Sequence, residues 1–288
     1  MALSELSGDE QGILFVQLCN VLDPGIAVAL SSVNNELRMA TRAPLQELKT
    51  GHEAAAALCR KLRHRNCKEL REAQEVHCYG KGLTADDLAL LGTLGSVMPA
   101  LKSLILPAGS LLPAAEPDGV QRLAAGLGAG ALPAVAQLWI TGTHVGDAGA
   151  SALAAALGQG ALPWLKDLNL AVTTIGDAGL VALAPALRRR PALEWLSIDR
   201  NPLRDEGLAA LVAPPPPAGA PPPTTGGLAK LKHLNFNYTQ ITDAGCATLA
   251  AALDSGALPA LEGLELDETP ASDAADYAVQ TKLETRWL

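Results

Sequence analysis

Aromatic residues are scarce in this chain: Phe, Trp and Tyr make up 3% of 288 positions, although 49% are apolar. Leu, Ala and Val must therefore build the core, and small side chains suit closely stacked, similar layers better than a core of bulky anchors. Long apolar runs are missing too; none approaches the ~20 residues that span a bilayer. The opening MALSELSGDEQG lacks a basic n-region, so no signal peptide is expected. Cysteine is sparse: Cys19, Cys59, Cys67, Cys78 and Cys246 are odd in number and follow no framework spacing. That pattern points to reduced thiols and a cytoplasmic address, with the nucleus as an alternative. Positive charge is in deficit, at a net −8. The first 82 residues balance acid against base, so the acidic excess lies in the remainder. Such a chain is poorly suited to phosphate backbones or anionic lipid, and neither nucleic acid nor membrane is expected as a partner.

Catalytic motifs are absent or broken. His52-Glu53 opens an HExxH pattern, but Ala56 stands where the second histidine belongs. Gly126, Gly128 and Gly130 precede a strand pattern instead of linking a strand to a helix, the wrong side for cradling a phosphate. There is no G-x-S-x-G and no Walker lysine. His64, Cys67, His77 and Cys78 have no regular ligand spacing, and Asn237-Tyr238-Thr239 reads as a chance sequon. The expectation is a protein that is not an enzyme, with no cofactor and no metal.

What is present is a repeat. Residues 165–192 set Leu165, Leu168, Leu170, Thr173 and Ile175 at strand-like spacing, then Gly179, Leu183 and Leu187 at helical i, i+4 spacing. One short strand and one short helix cannot bury both apolar faces alone, so neighbouring copies are required. The motif recurs from Ala73, Leu101, Val135, Leu165, Leu193, Leu231 and Leu261, at intervals of 28, 34, 30, 28, 38 and 30 residues. These copies resemble leucine-rich repeats of the ribonuclease-inhibitor-like class. The resemblance implies an α/β solenoid, curved, with parallel strands on its concave face and helices on its convex face.

Within each copy, side chains such as Leu193, Leu196 and Ile198 are expected to point between sheet and helices. The superfamily usually follows them with Asn or Cys; only Asn201 fits, and Thr143, Thr173, Thr239 and Thr269 stand elsewhere. Asp147, Asp177, Asp205, Asp243 and Asp273 are expected to serve as N-cap or first-turn carboxylates of their helices. Gly149, Gly179, Gly207 and Gly245 allow close approach to the neighbouring layer. Gly-Ala-Leu-Pro at 130–133, 160–163 and 256–259 closes helices. Pro185 predicts a kink or a 3₁₀ segment. The long intervals carry insertions at 107–117 and at the Pro-rich 214–227, read as surface loops.

The N-terminal region has a different logic. Ile13, Leu14, Val16, Leu18 and Val21 form an apolar helical stretch interrupted by Asp23-Pro24. Leu22-Asp23-Pro24, Leu30, Val33 and Leu37 resemble an F-box, although Leu6-Ser7 replaces its usual Leu-Pro opening. That resemblance implies docking of a Skp-type adaptor through those six residues. Leu45, Leu48, Ala55, Leu58 and Leu62 predict one helix and a connection over 43–72, and Arg60 to Arg71 forms a basic run read as a solvated face. The expected domains are an F-box-like all-α module over 1–45, a helical linker or cap over 46–72, seven repeats over 73–270 and a capping helix over 271–288.

Alternate strand side chains should face the open side of the sheet. Those columns hold Trp139, Asp167, Asn169, Trp195, Asp199, Arg200, His233, Asn235, Asn237, Tyr238, Glu265, Asp267 and Glu268. Exposed Trp, Tyr and Arg among polar neighbours are what binding hot spots are made of. The acids at the end favour a basic partner segment. The expected function is protein recognition by a monomer, and the F-box resemblance implies a substrate receptor of a cullin–RING ubiquitin ligase. The alternative is a regulator of an enzyme, similar to ribonuclease inhibitors or Ran GTPase-activating proteins.

Overall fold

The 28-residue periodicity becomes one strand and one helix per layer. The computed structural model describes residues 20–33, 38–39, 41–109, 118–128, 130–212 and 227–286. The chain divides into two compact units, Met1–Ala73 with Val97–Ala100, and Gln74–Ser96 with Leu101–Leu288.

In the first unit, α1 (Gly25–Ser31), α2 (Arg42–Lys61) and α3 (Cys67–Glu72) are helical. Val21, Leu30 and Leu45 pack on a small core of Ala27 and Leu48. His52 Nδ1 lies 2.7 Å from the Val21 carbonyl, and Arg71 pairs with Asp23 at 3.2 Å. Helix α2 continues through Gly51. Where a plain connection was expected, α3 forms because the Asn66 side chain accepts from the Glu69 N–H, satisfying one unpaired donor of its first turn. The Cys59 and Cys67 Sγ atoms are 3.6 Å apart. Burial first, and the Cys67 contact second, push the Cys59 thiol up to about 12.

The second unit contains the repeats. Strands β1 (Glu75–His77), β2 (Ser103–Leu106), β3 (Gln137–Ile140), β4 (Asp167–Asn169), β5 (Trp195–Ser197), β6 (His233–Asn235) and β7 (Gly263–Glu265) form one parallel sheet in chain order. Each strand begins two residues into its sequence motif. Between them run α4 (Ala85–Leu94), α5 (Gly119–Gly126), α6 (Gly146–Gly158), α7 (Asp177–Arg188), α8 (Asp205–Leu211) and α9 (Asp243–Asp254), and α10 (Asp273–Thr285) follows β7. The central strand residues Val76, Leu104, Leu138, Leu168, Leu196, Leu234 and Leu264 are buried, as are Leu153, Leu183, Leu208 and Leu249 on the helices. The core is this leucine layer.

The repeat aspartates take the first-turn placement of the two expected for them. Asp177, Asp205, Asp243 and Asp273 are first residues of their helices, not N-caps. Four of the five repeat aspartates reach the next layer. Asp147 Oδ1 accepts from the N–H groups of Gly176 (2.7 Å) and Gly179 (3.0 Å). Asp177 Oδ1 accepts from Arg204 (2.8 Å) and Gly207 (3.1 Å). Asp205 accepts from the Thr242 N–H at 2.9 Å and hydroxyl at 2.6 Å, and Asp243 accepts from the Ser272 N–H at 2.6 Å. Each carboxylate therefore sits at the positive end of the following helix and satisfies its unpaired donors. The glycines follow from this reach. A Cβ on Gly179 would lie 2.6 Å from Asp147 Oδ1, one on Gly207 2.8 Å from Asp177 Oδ1, and one on Gly245 would collide with Asp205 Oδ1.

The polar position after the strand behaves as its side-chain lengths dictate. Asn201 Nδ2 donates to the carbonyls of Leu170, Ile198 and Asp199, and its Oδ1 accepts from the N–H groups of Thr173 and Ile175, joining two layers. Thr173, Thr239 and Thr269 bond the carbonyl three residues back, at 2.7–2.9 Å, and Thr173 Oγ1 also lies 3.1 Å from Asn201 Oδ1. Thr143 Oγ1 is buried without a partner among the described residues.

Helices α6 and α9 close as expected: Gly160 (φ 93°) and Gly256 (φ 74°) are left-handed, and paired bonds return to the helix end. Helix α7 is α-helical through Pro185, so the 3₁₀ segment expected as one of two outcomes is not formed. Pro185 and Val181, whose carbonyl loses its helical donor, are both exposed, on the solvent side of the helix.

Alanine in an exposed helix normally gains ~1 kcal/mol over glycine. The sign should reverse here: Gly179→Ala is expected to destabilise by ~1–3 kcal/mol through overpacking on Asp147. Urea unfolding checks this, and combining it with Asp147→Ala should recover part of the loss; an additive result would show that the two do not meet.

Candidate functional site: the open face of the sheet

With leucines filling the helix side, the residues flanking each central strand leucine are left on the other side. Strand register lines them up in rows. One row runs Ser103, Gln137, Asp167, Trp195, His233, Gly263, and the next runs Ile105, Trp139, Asn169, Ser197, Asn235, Glu265.

Trp139 stands beside Asn169 and Trp195 beside Asp167, so the two indoles are diagonal neighbours across β4. Their ring centroids are 6.3 Å apart and the rings are tilted by 43°. Together with Asp167, Glu194, Lys232 and His233 they line an open hollow of about 470 Å³. Asp167 accepts from Gln137 Nε2 at 3.0 Å and has no ion pair among the described residues. Glu194 faces Lys166 at 3.6 Å and Lys232 at 3.9 Å. Trp139 Nε1 is buried with no acceptor among the described residues, a donor whose desolvation is unrepaid. His233 is exposed and lies over Gly263, where a Cβ would stand 2.7 Å from its Nδ1.

A second group lies just beyond the strands. Val172, Arg200, Tyr238 and Glu268 occupy equivalent repeat positions, all left-handed at φ 54–57°, where Gly80 and Gly142 stand in earlier repeats. This conformation costs a non-glycine residue ~1–2 kcal/mol. The sheet enforces it: Val172, Arg200 and Tyr238 each donate their N–H to a carbonyl of the next layer, at 2.8–3.0 Å. The Arg200 guanidinium lies 4.6 Å from the Tyr238 ring centroid, and Asp199 accepts from the Ser197 hydroxyl at 2.5 Å. Glu265 accepts from Asn235 Nδ2 at 2.6 Å and Asn237 Nδ2 at 3.1 Å. Asp267 and Glu268 are exposed and have no ion pair among the described residues.

A family model described as Leucine Rich repeat matches residues 161–184 and 227–250. The fold is a leucine-rich repeat solenoid. Solved structures similar to it include two from Listeria monocytogenes str. 4b F2365. Internalin C2 (inlC2) has 19% identity and a TM-score of 0.43, with 78% of this chain and 87% of that one covered. Internalin inlF has 14% identity and a TM-score of 0.38, with 73% of this chain and 52% of that one covered; the chain thus spans about half its length. Leiomodin-1 actin-binding site 2 has 13% identity and a TM-score of 0.31, with 82% and 88% covered. Among curated proteins none matches.

In this solenoid the open-face residues singled out from sequence are all at least partly exposed. Trp139, Asp167, Trp195 and His233 meet in the hollow, Asn235 and Asn237 gather at Glu265, and Asn169 turns its side chain onto the Ala171 N–H. Sequence reasoning missed Glu194 and Lys232, which line the hollow one residue ahead of the expected column. It also passed over Trp164, which is 63% exposed in the turn before β4. Of the F-box-like residues, Leu22 is buried and Leu30 packs within its unit, while Asp23 pairs with Arg71. Pro24 occupies the N-cap of α1, Val33 is 68% exposed, and Leu37 lies outside the described residues. No helix among the described residues is long and apolar enough to cross a membrane.

Gly263→Ala should displace the His233 ring, visible as a shift of its histidine proton resonance, with an unfolding midpoint changed by no more than ~0.5 kcal/mol. An unmoved resonance would place His233 away from Gly263.

Proposed function

We propose that the protein is a non-catalytic recognition scaffold that binds a protein partner through the open face of the sheet. The observation that carries this reading is the hollow in which Trp139, Asp167, Trp195 and His233 converge on a face that the helices leave free. Large amphipathic rings held on a rigid sheet supply contact area at little conformational cost, which is why Trp dominates binding hot spots. The partner-binding set is Trp139, Asp167, Asn169, Trp195, Asp199, Arg200, His233, Asn235, Asn237, Tyr238, Glu265 and Asp267. The 28-residue period further supports assignment to the ribonuclease-inhibitor-like class of repeats. Trp195→Ala with His233→Ala should weaken capture of the native partner by ~2 kcal/mol or more while leaving the array folded. Co-purification from the native cell, with circular dichroism as the folding control, measures both; unchanged capture would move the binding surface off this face.

The N-terminal helices carry the adaptor reading. Helix α1 and its end present Ile26, Val28 and Val33 outward at 60%, 43% and 68% exposure, an apolar surface of the kind that helical adaptors cover. On this reading a Skp-type adaptor docks at the N-terminus, the repeats hold a target, and ubiquitin transfer is performed by the cullin–RING complex. Deleting residues 1–45 should abolish adaptor capture in a pull-down. Retention of the adaptor by the truncated chain would rule the assignment out.

A further inference from the structure

The open face is not electrically uniform, and its asymmetry constrains what it can hold. From β4 onward its outward positions carry five carboxylates, Asp167, Asp199, Glu265, Asp267 and Glu268, against the single guanidinium of Arg200. That guanidinium is already laid on the Tyr238 ring and lies 3.9 Å from Asp199. On the rim, Lys166 and Lys232 both face Glu194, and Asp167 makes no direct ion pair with either among the described residues. The hollow thus combines two indole faces with a carboxylate whose described side-chain partner is the neutral amide of Gln137. The end of the sheet adds Glu265, Asp267 and Glu268, whose only described side-chain partners are the neutral amides of Asn235 and Asn237 on Glu265.

This combination selects a cation of particular shape. A guanidinium stacks on an aromatic face while donating N–H bonds in its own plane to a carboxylate, whereas an ammonium is a compact, strongly hydrated point charge. We propose that the open face takes an extended basic segment of a protein partner, with one arginine in the Trp139–Trp195 hollow beside Asp167 and a second basic residue against Glu265, Asp267 and Glu268. This rests on the reading of that face as the partner surface. The strand spacing sets the separation of the two bases. The hollow centres on β4 and β5, and the acidic end on β7. At ~4.8 Å per strand the distance is about 10–14 Å, or three to four residues of extended chain at ~3.3 Å each.

The test uses the full chain and a library of synthetic peptides about ten residues long, enough to cross the sheet. Peptides share a neutral sequence and vary in the number and spacing of Arg, Lys, Glu and Leu; binding is read by fluorescence anisotropy. The expected result is preference for Arg with a second base three to four positions away. Affinity should fall about tenfold when that Arg is replaced by its neutral isostere citrulline, and should weaken with rising salt. Trp195→Ala should produce a similar loss. So should the triple variant Glu265→Gln, Asp267→Asn, Glu268→Gln, which keeps side-chain shape and answers the question if Trp195→Ala fails to fold. Trp195-dependent binding of acidic or uncharged peptides would overturn the basic-segment inference and leave the partner-face reading standing. Basic peptides that bind both variants as tightly as the unaltered chain would overturn it, as would no binding above the neutral background.

Discussion

The stack depends on one recurring interaction, a carboxylate at the first turn of one helix bonded to the backbone N–H groups that open the next. Asp147, Asp177, Asp205 and Asp243 form successive links of this chain along the helix layer. It is charge-assisted, it uses donors that would otherwise be unpaired, and it requires the receiving helix to approach without a side chain in the way. The glycines at 179, 207 and 245 supply that absence. An apolar layer is non-directional, whereas each carboxylate is aimed at specific donors: two N–H groups for Asp147 and Asp177, one N–H and one hydroxyl for Asp205 and Asp243.

Register transmitted through these links and through the parallel sheet determines what the open face looks like. Because one residue of every strand aligns with one residue of the next, a side chain placed every ~30 residues in sequence finds its neighbours ~5 Å away. The Trp139–Trp195 contact is a product of this alignment, and so is the gathering of Asn235 and Asn237 around Glu265. The left-handed residues Arg200, Tyr238 and Glu268 belong to the same logic. Each adopts a left-handed conformation that would cost a glycine little, and places a charged or aromatic side chain at the rim. At Arg200 and Tyr238 the strain is offset by an N–H bond to the next layer.

Much of this was legible from the chain alone. The starts of all seven strands follow from the leucine spacing, and the outward columns from strand alternation. The limits are instructive. Pro185 reads as a helix conflict, yet it falls where the helix faces water and costs the fold little. The aspartates read as N-cap or first-turn carboxylates and do lie in first turns, but capping rules, written for a helix in isolation, do not show that they also serve the next helix. Residues 66–72 read as a connection because six residues are too few for periodicity to register, although Asn66 gives the cap signal.

By itself, then, the sequence determined the layer architecture, the inward leucines and the outward candidates, since strand and helix periodicity are local properties that repeat often enough to be read without coordinates. Only the tertiary structure decided which helix each aspartate serves, that Trp139 and Trp195 touch across β4, that Glu194 and Lys232 line their hollow, and that Asp267 and Glu268 have no ion pair among the described residues. Those are relations between residues one or two repeats apart, set by inter-strand register and by the direction a side chain takes on leaving the backbone. No period in the chain encodes them.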